Sequence, residues 1–106
     1  MINKKQINIF ADVISKKFKS EKIYLFGSNA YGKPQKGSDI DICVVMYLGN
    51  KRKLELSREI RSEIYSYINI PIDILLYDIN EFNERSLNPT TLEYKISKLG
   101  VLLNGK

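Results

Sequence analysis

The chain has 106 residues, 43% of them hydrophobic, and this length and composition predict one soluble globular domain with a single core. Seventeen lysines and arginines against twelve acidic residues give a net charge of +5, which favours an anionic partner without identifying it. There is no histidine, so Ser-His-Asp catalysis and histidine-ligated zinc are excluded. The lone cysteine, Cys43, cannot form an internal disulfide. No apolar run is long enough for a signal peptide or a membrane span. We therefore expect a cytoplasmic protein.

The first half of the chain predicts one helix and two strands. Apolar residues at helical spacing predict an amphipathic helix over about residues 3–19. Ile23–Phe26 is a β-prone run that predicts an interior strand, and residues 27–38, which are rich in Gly, Ser, Asn, Lys and Pro, predict a loop. Asp39–Met46 predicts a second strand that begins with acidic and apolar residues in alternation and becomes wholly apolar.

The second half continues the alternation of helix and strand. Its predicted elements are a long helix that follows Lys51–Lys53 and ends at Asn69, a strand over Ile70–Tyr77, a short helix near Asn80–Ser86, a helix through Leu92 and Leu99 that stops at Gly100, and an edge strand at Val101–Leu103. The order of the elements predicts an α/β sandwich that forms a single domain over residues 1–106.

Three acids occupy strand positions where a carboxylate is costly. Asp39 and Asp41 are two residues apart, so their side chains leave the same face of the strand while the neighbouring isoleucines point into the core. Asp73, which we expect to be buried between two isoleucines, joins the pair if the third strand lies beside the second. Three such carboxylates would repel one another, and a bound dication is the natural counter-charge. Ligands that are all oxygen select Mg²⁺ or Mn²⁺ over zinc.

The acids alone leave a structural alternative open, in which they cap a turn, pair with a lysine or face solvent. Gly27 and Ser28 favour the functional interpretation, because they end the first strand where adjacent strands would bring them next to Asp39. Glycine permits close backbone approach, and exposed amides with a hydroxyl bind phosphate oxygens. A phosphate-binding turn beside metal-binding acids is the equipment for phosphoryl or nucleotidyl transfer. The same segment fits G-x-x-x-x-G-K, but Pro34 stands where a P-loop needs Ser or Thr.

These residues resemble a known signature. Gly27-Ser28, ten further residues and Asp39-Ile40-Asp41 reproduce the G-S-x10-D-x-D pattern of the DNA polymerase β nucleotidyltransferase superfamily, and the short chain is similar to its minimal nucleotidyltransferases. The resemblance implies a mixed β-sheet flanked by α-helices. It implies that Asp39 and Asp41 hold two Mg²⁺ ions and that Asp73 completes one site and helps activate the attacking hydroxyl. It also implies that Gly27 and Ser28 hold the distal phosphates of the nucleotide.

The resemblance further implies transfer of AMP from ATP with release of pyrophosphate. Minimal members are often antitoxins of all-helical HEPN toxins and transfer AMP to a tyrosine hydroxyl of the toxin. A chain with no obvious second lobe to hold a small acceptor fits a macromolecular acceptor, although a homodimer is another source of an acceptor pocket.

One position departs from the resemblance. Tyr31 stands where many minimal members have an arginine. The alternative function is therefore a catalytically weak or inactive binding module that neutralises its partner by forming a complex. Nucleic acid is not expected as a partner, because basic and aromatic residues do not interleave along the sequence.

Overall fold

The computed structural model describes residues 4–27, 40–67 and 71–104. Four strands form one sheet in the order β3-β2-β1-β4. Their bounds are Lys22–Phe26 for β1, Ile40–Met46 for β2, Ile72–Asp78 for β3 and Val101–Asn104 for β4. The strand β2 runs antiparallel to β1 and parallel to β3, and β4 runs antiparallel to β1. The sheet is therefore mixed, as the resemblance implies.

Helices cover both faces of this sheet. Their bounds are Lys4–Phe18 for α1, Lys53–Tyr65 for α2, Ile79–Arg85 for α3 and Leu92–Leu99 for α4. No helix within the described ranges has both the length and the apolar character needed to cross a membrane. The predicted α/β class, a mixed sheet flanked by helices, is confirmed.

The alternation of side chains along the strands explains how two apolar faces arise. Even-numbered residues of β2, such as Ile42 and Val44, join one buried cluster with Phe10 and Ile14 of α1 and with residues of α2. Odd-numbered residues join a second cluster, whose members are Tyr24, Phe26, Cys43, Val45, Phe82 and Ile96, with Phe82 supplied by α3 and Ile96 by α4. Because β2 has apolar neighbours on both faces, it lies at the centre of the core.

Most predicted ends lie within one residue of the observed ones, and the larger differences are at the end of α2 and the beginning of β3. The helix α2 ends at Tyr65, whereas the predicted end, Asn69, lies outside the described residues. The Ser66 amide donates to the Glu63 carbonyl and the Tyr67 amide to the Ile64 carbonyl, which is the tighter hydrogen bonding that commonly closes a helix. The strand β3 begins at Ile72 and continues to Asp78, one residue beyond the predicted Tyr77.

Candidate active site

Gly27 and Asp41 meet at the end of the β1–β2 pair. Asp41 is the register partner of Phe26, so Gly27 follows directly beyond it. Gly27 has φ of +76°, and a Cβ built on it would overlap Oδ2 of Asp41 and lie 3.1 Å from Cγ. The carboxylate of Asp41 therefore occupies the space that a side chain at position 27 would need. The neighbour that the structure describes for Gly27 is Asp41, and its expected place beside Asp39 and its contact with phosphate stay predictions.

Asp41 and Asp73 are also neighbours across the sheet. They are register partners on the parallel strands β2 and β3, and the Ile40 amide donates to the Pro71 carbonyl at 3.0 Å where the two strands begin. Register partners project from the same face, and adjacent strands lie about 4.8 Å apart. Two carboxylates and the Gly27 turn thus share one end of the sheet.

The predicted burial of Asp73 is wrong, because its side chain is exposed, while Asp41 is half-buried. The flanking isoleucines lie on the opposite face, where Ile72 is buried in the apolar cluster and Ile74 packs against it. On the face of the two acids, the apolar cluster includes Cys43 and packs against Leu75, each two residues further along its strand. The acids therefore stand just beyond the apolar cover, where a carboxylate remains hydrated.

Two of the five predicted site residues, Ser28 and Asp39, lie outside the described residues, so their roles stay predictions. Among the described residues, no group of three metal-ligating side chains is present. Asp41 and Asp73 offer only carboxylate oxygens. This donor set fits Mg²⁺, a hard cation that uses one or two carboxylates and completes its shell with water and phosphate oxygens.

A second polar group on this face of the sheet is Glu93, which is only 6% exposed. The Tyr77 hydroxyl donates to Glu93 Oε1 at 2.9 Å, and Arg85 Nη1 lies 3.6 Å from the same oxygen. Burial and the bond to Glu93 raise the pKa of the Tyr77 hydroxyl. Sequence reasoning missed Glu93, although its place three residues before the buried Ile96 on α4 is a helical-spacing signal for burial. The contacts made by Glu93 join α3, α4 and β3.

Cys43 has no chemistry of its own to offer at this site. The thiol is fully buried, and burial together with the nearby Glu93 raises its pKa to about 12. A thiol with this pKa stays protonated at neutral pH and is a poor nucleophile. The predicted structural role of Cys43 agrees with this placement. Among the described residues at this end of the sheet, the carboxylates of Asp41 and Asp73 are the groups suited to catalysis.

In this mixed sheet, the first two strands bring a glycine turn against a carboxylate, and the adjoining parallel strand carries a second carboxylate. This is an architecture of nucleotidyl-transferring domains. Residues 7–98 match the family model for the nucleotidyltransferase domain, so the chain belongs to this family. No functionally curated protein matches the sequence.

Solved structures with a similar fold include three relatives. A Sulfolobus solfataricus protein described as a nucleotidyltransferase is 25% identical, with a TM-score of 0.57 over 92% of this chain and 76% of that one. A mutant MntA–HpeT toxin–antitoxin complex contains a chain 21% identical, with a TM-score of 0.64 over 99% and 75% of the two chains. A toxin–antitoxin structure with AMP-PNP contains a chain 23% identical, with a TM-score of 0.57 over 93% and 73%. The two toxin–antitoxin structures show the likeness of the fold alone.

Proposed function

We propose that this chain is a Mg²⁺-dependent nucleotidyltransferase of the cytoplasm that transfers AMP from ATP to a tyrosine hydroxyl of a HEPN-type toxin and thereby acts as its antitoxin. The observation that carries the proposal is the meeting of Gly27, Asp41 and Asp73 at one end of the sheet. Membership of the nucleotidyltransferase domain family supports the reaction class. The toxin–antitoxin setting of two similar folds supports the partner.

Each residue has a distinct task in the proposed reaction. Asp73, exposed at the open end of the sheet, accepts the proton of the acceptor hydroxyl. The hydroxyl oxygen then bonds to the α-phosphorus of ATP, the bond to the bridging oxygen breaks, and pyrophosphate leaves. Gly27 and Ser28 would hold the distal phosphates, and Asp39 and Asp41 would hold two Mg²⁺ ions, with Asp73 completing one of the two sites. When bound, the metal ions would neutralise the negative charge of the ATP phosphates.

The exposure of Asp73 supports an acceptor that is presented by a partner protein. The described residues form one sheet with helices on both faces, and the acids stand at its open end. A partner protein that presents its own tyrosine needs no acceptor pocket in this chain. A homodimer that forms such a pocket is the competing arrangement, and the mass of the purified chain in solution distinguishes the two.

The test uses the purified chain, the product of the neighbouring gene as acceptor, Mg²⁺ and ATP labelled on the α-phosphate. We expect labelled AMP on the acceptor, and a loss of at least about a hundredfold in rate for Asp41→Asn and Asp73→Asn. Asp12→Asn removes an equal charge from an exposed position on α1 and should transfer AMP normally. No transfer by the unaltered chain, or equal transfer by all variants, would contradict the proposal.

The second candidate function is a binding module that neutralises its partner by complex formation with weak or no catalysis. Tyr31 in place of an arginine is the observation that favours it, because a cation near the triphosphate is lost. Under this candidate, the Asp41→Asn/Asp73→Asn variant still protects cells from the toxin. Under the leading proposal, the same variant forms no AMP-toxin and fails to protect.

A further inference from the structure

A groove of about 900 Å³ opens at the end of the sheet opposite the acids. Its walls are the end of α1, the segment that follows β2 and the first turns of α2, and Met46 at the end of β2 lies in its lining. Met46 is five residues beyond Asp41 on the same strand, a distance of about 16 Å at the usual rise of a strand. The groove is therefore separate from the candidate active site.

Basic side chains from two distant parts of the chain line this groove. They are Lys17, Lys19, Lys51 and Arg52. Arg52 lies 3.8 Å from Glu55, but this pair is highly exposed, at 82% and 66%, and such pairs contribute little. Lys19 and Lys51 form no ion pair with any residue in the described ranges. Lys17 pairs with Glu63 at 3.0 Å, so Lys19, Lys51 and Arg52 against Glu55 and Glu59 leave the groove a small net positive charge.

Lys19 occupies a backbone position that ordinarily selects glycine. It directly follows the last residue of α1 with φ of +53°, and it is the one non-glycine residue with positive φ in the described part of the chain. Glycine is the usual residue at this position after a helix because the left-handed conformation is unfavourable for other L-residues. A lysine there costs some stability, and its charge lies both at the negative end of the α1 dipole and in the groove.

The groove also holds an exposed aromatic ring. Tyr47 is 74% exposed, more than any other described aromatic residue, and follows β2 directly. Recognition of single-stranded nucleic acid combines two components. Cations bind along the phosphate backbone, and an aromatic ring stacks on a base. An acidic protein segment would use the cations but would have no need of the ring.

We propose that this groove binds a single-stranded nucleic acid, with phosphates on Lys19, Lys51 and Arg52 and a base stacked on Tyr47. The fold brings these residues together although they do not interleave along the sequence. This binding is independent of the reaction proposed for the opposite end of the sheet, so either proposal can fail without the other.

The test measures the fluorescence anisotropy of a labelled single strand of about ten nucleotides, made as RNA and as DNA, with the purified chain over a series of salt concentrations. Three phosphate contacts predict a slope of about −2 for the logarithm of the binding constant against that of the salt concentration. Tighter binding of the RNA would identify the ligand as RNA. Equal binding of RNA and DNA would mean that the groove recognises features common to both strands.

Matched variants locate the binding. Lys51→Ala/Arg52→Ala should weaken binding and bring the slope to about −0.7, which corresponds to one remaining phosphate contact. Arg61→Ala/Lys98→Ala removes the same charge from exposed positions outside the groove and should bind nearly normally. Tyr47→Ala should bind about tenfold more weakly, whereas Tyr47→Phe keeps the ring and should bind normally.

Lys19→Gly separates a binding role from a structural one. Glycine relieves the left-handed backbone, so this variant should unfold at a higher urea concentration and yet bind the strand more weakly. Equal weakening by the two double variants, or no binding by the unaltered chain at low salt, would overturn the proposal. A poly-aspartate peptide that binds as tightly as the nucleic acid, with no loss in Tyr47→Ala, would also overturn it and identify the groove as a site for an acidic protein segment.

Discussion

Gly27 is the residue on which the candidate active site depends most directly. Its missing side chain leaves the space that the Asp41 carboxylate occupies, and its φ of +76° turns the chain away from β1 at that point. Both properties belong to glycine, and a residue with a Cβ would disturb both. The conformation of the backbone at position 27 and the position of the carboxylate at 41 are therefore coupled.

We predict that Gly27→Ala lowers the free energy of unfolding by about 1–2 kcal/mol and abolishes AMP transfer, because the new Cβ displaces the carboxylate of Asp41. Gly49→Ala is the matched control. Gly49 also has positive φ, at +58°, but the nearest atom to its Cβ would belong to the Tyr47 ring, at 3.4 Å. It should cost similar stability in urea unfolding and leave transfer intact. Full transfer by Gly27→Ala would show that the close approach has no function.

Cys43 makes the stability of the domain sensitive to alkaline pH. Burial raises the pKa of its thiol from 9.0 to about 12, so the native state keeps a proton that the unfolded chain loses. The stabilisation is complete below pH 9 and declines as the pH rises from 9 toward 12. We predict that the free energy of unfolding falls by up to about 1 kcal/mol between pH 9 and pH 10, measured with urea. Cys43→Ala should show a flatter profile, and parallel profiles would contradict the prediction.

The side of the strand on which Asp41 and Asp73 lie could be predicted from the sequence, but the exposure of Asp73 could not. Alternation along β2 placed Ile40 and Ile42 in the core and Asp41 on the other face, as observed. For Asp73 the same reasoning led to a wrong expectation of burial. Neighbours along a strand do not show how far the helices on that face extend toward its end.

At the scale of the elements, the sequence predicts every described helix and strand but not all of their ends. Apolar periodicity reports which residues face the core, and it continues for α2 past the point where the helix stops at Tyr65. The end depends on local hydrogen bonds of the backbone, such as that from Ser66 to Glu63, which periodicity does not report. The predicted end of α4 agrees with the structure, because Gly100 is a specific stop signal for a helix.

Asp78 joins three elements at the end of β3. Its Oδ2 accepts from the Asn80 amide at 3.1 Å and caps α3, and its Oδ1 accepts from the Leu48 amide at 3.1 Å in the segment between β2 and α2. The carboxylate thus satisfies two backbone donors that the helix and the sheet leave unpaired.

We predict that Asp78→Ala lowers the free energy of unfolding by about 2 kcal/mol, since it removes a helix cap and a second acceptor. Asp78→Asn retains one acceptor oxygen and should lose about half as much. Urea unfolding followed by circular dichroism measures both. Equal losses for the two variants would mean that charge, and not the number of hydrogen bonds, accounts for the role of Asp78.

At the scale of the whole molecule, the sheet separates two chemically different ends. The carboxylates stand where β2 and β3 begin, and the basic groove opens where β2 ends. The acids could be predicted from the sequence because they lie on strands and match a spaced signature. The groove could not, because residues near position 18 and residues 47–52 meet only through the packing of α1 and α2 against the sheet.

The central position of β2 has a consequence for the way both ends respond to thermal opening. The residues Ile42–Val45 are almost completely inaccessible to water, and neighbouring strands hold β2 on both edges. We expect amides in such a strand to exchange hydrogen with solvent only when the whole domain opens, and those of the short edge strand β4 to exchange during partial openings. Asp41 and the groove residue Met46 flank Ile42–Val45 on the same strand. Partial openings confined to β4 should therefore leave Asp41 and Met46 in place, whereas an opening at the other edge strand, β3, would move Asp73 away from Asp41.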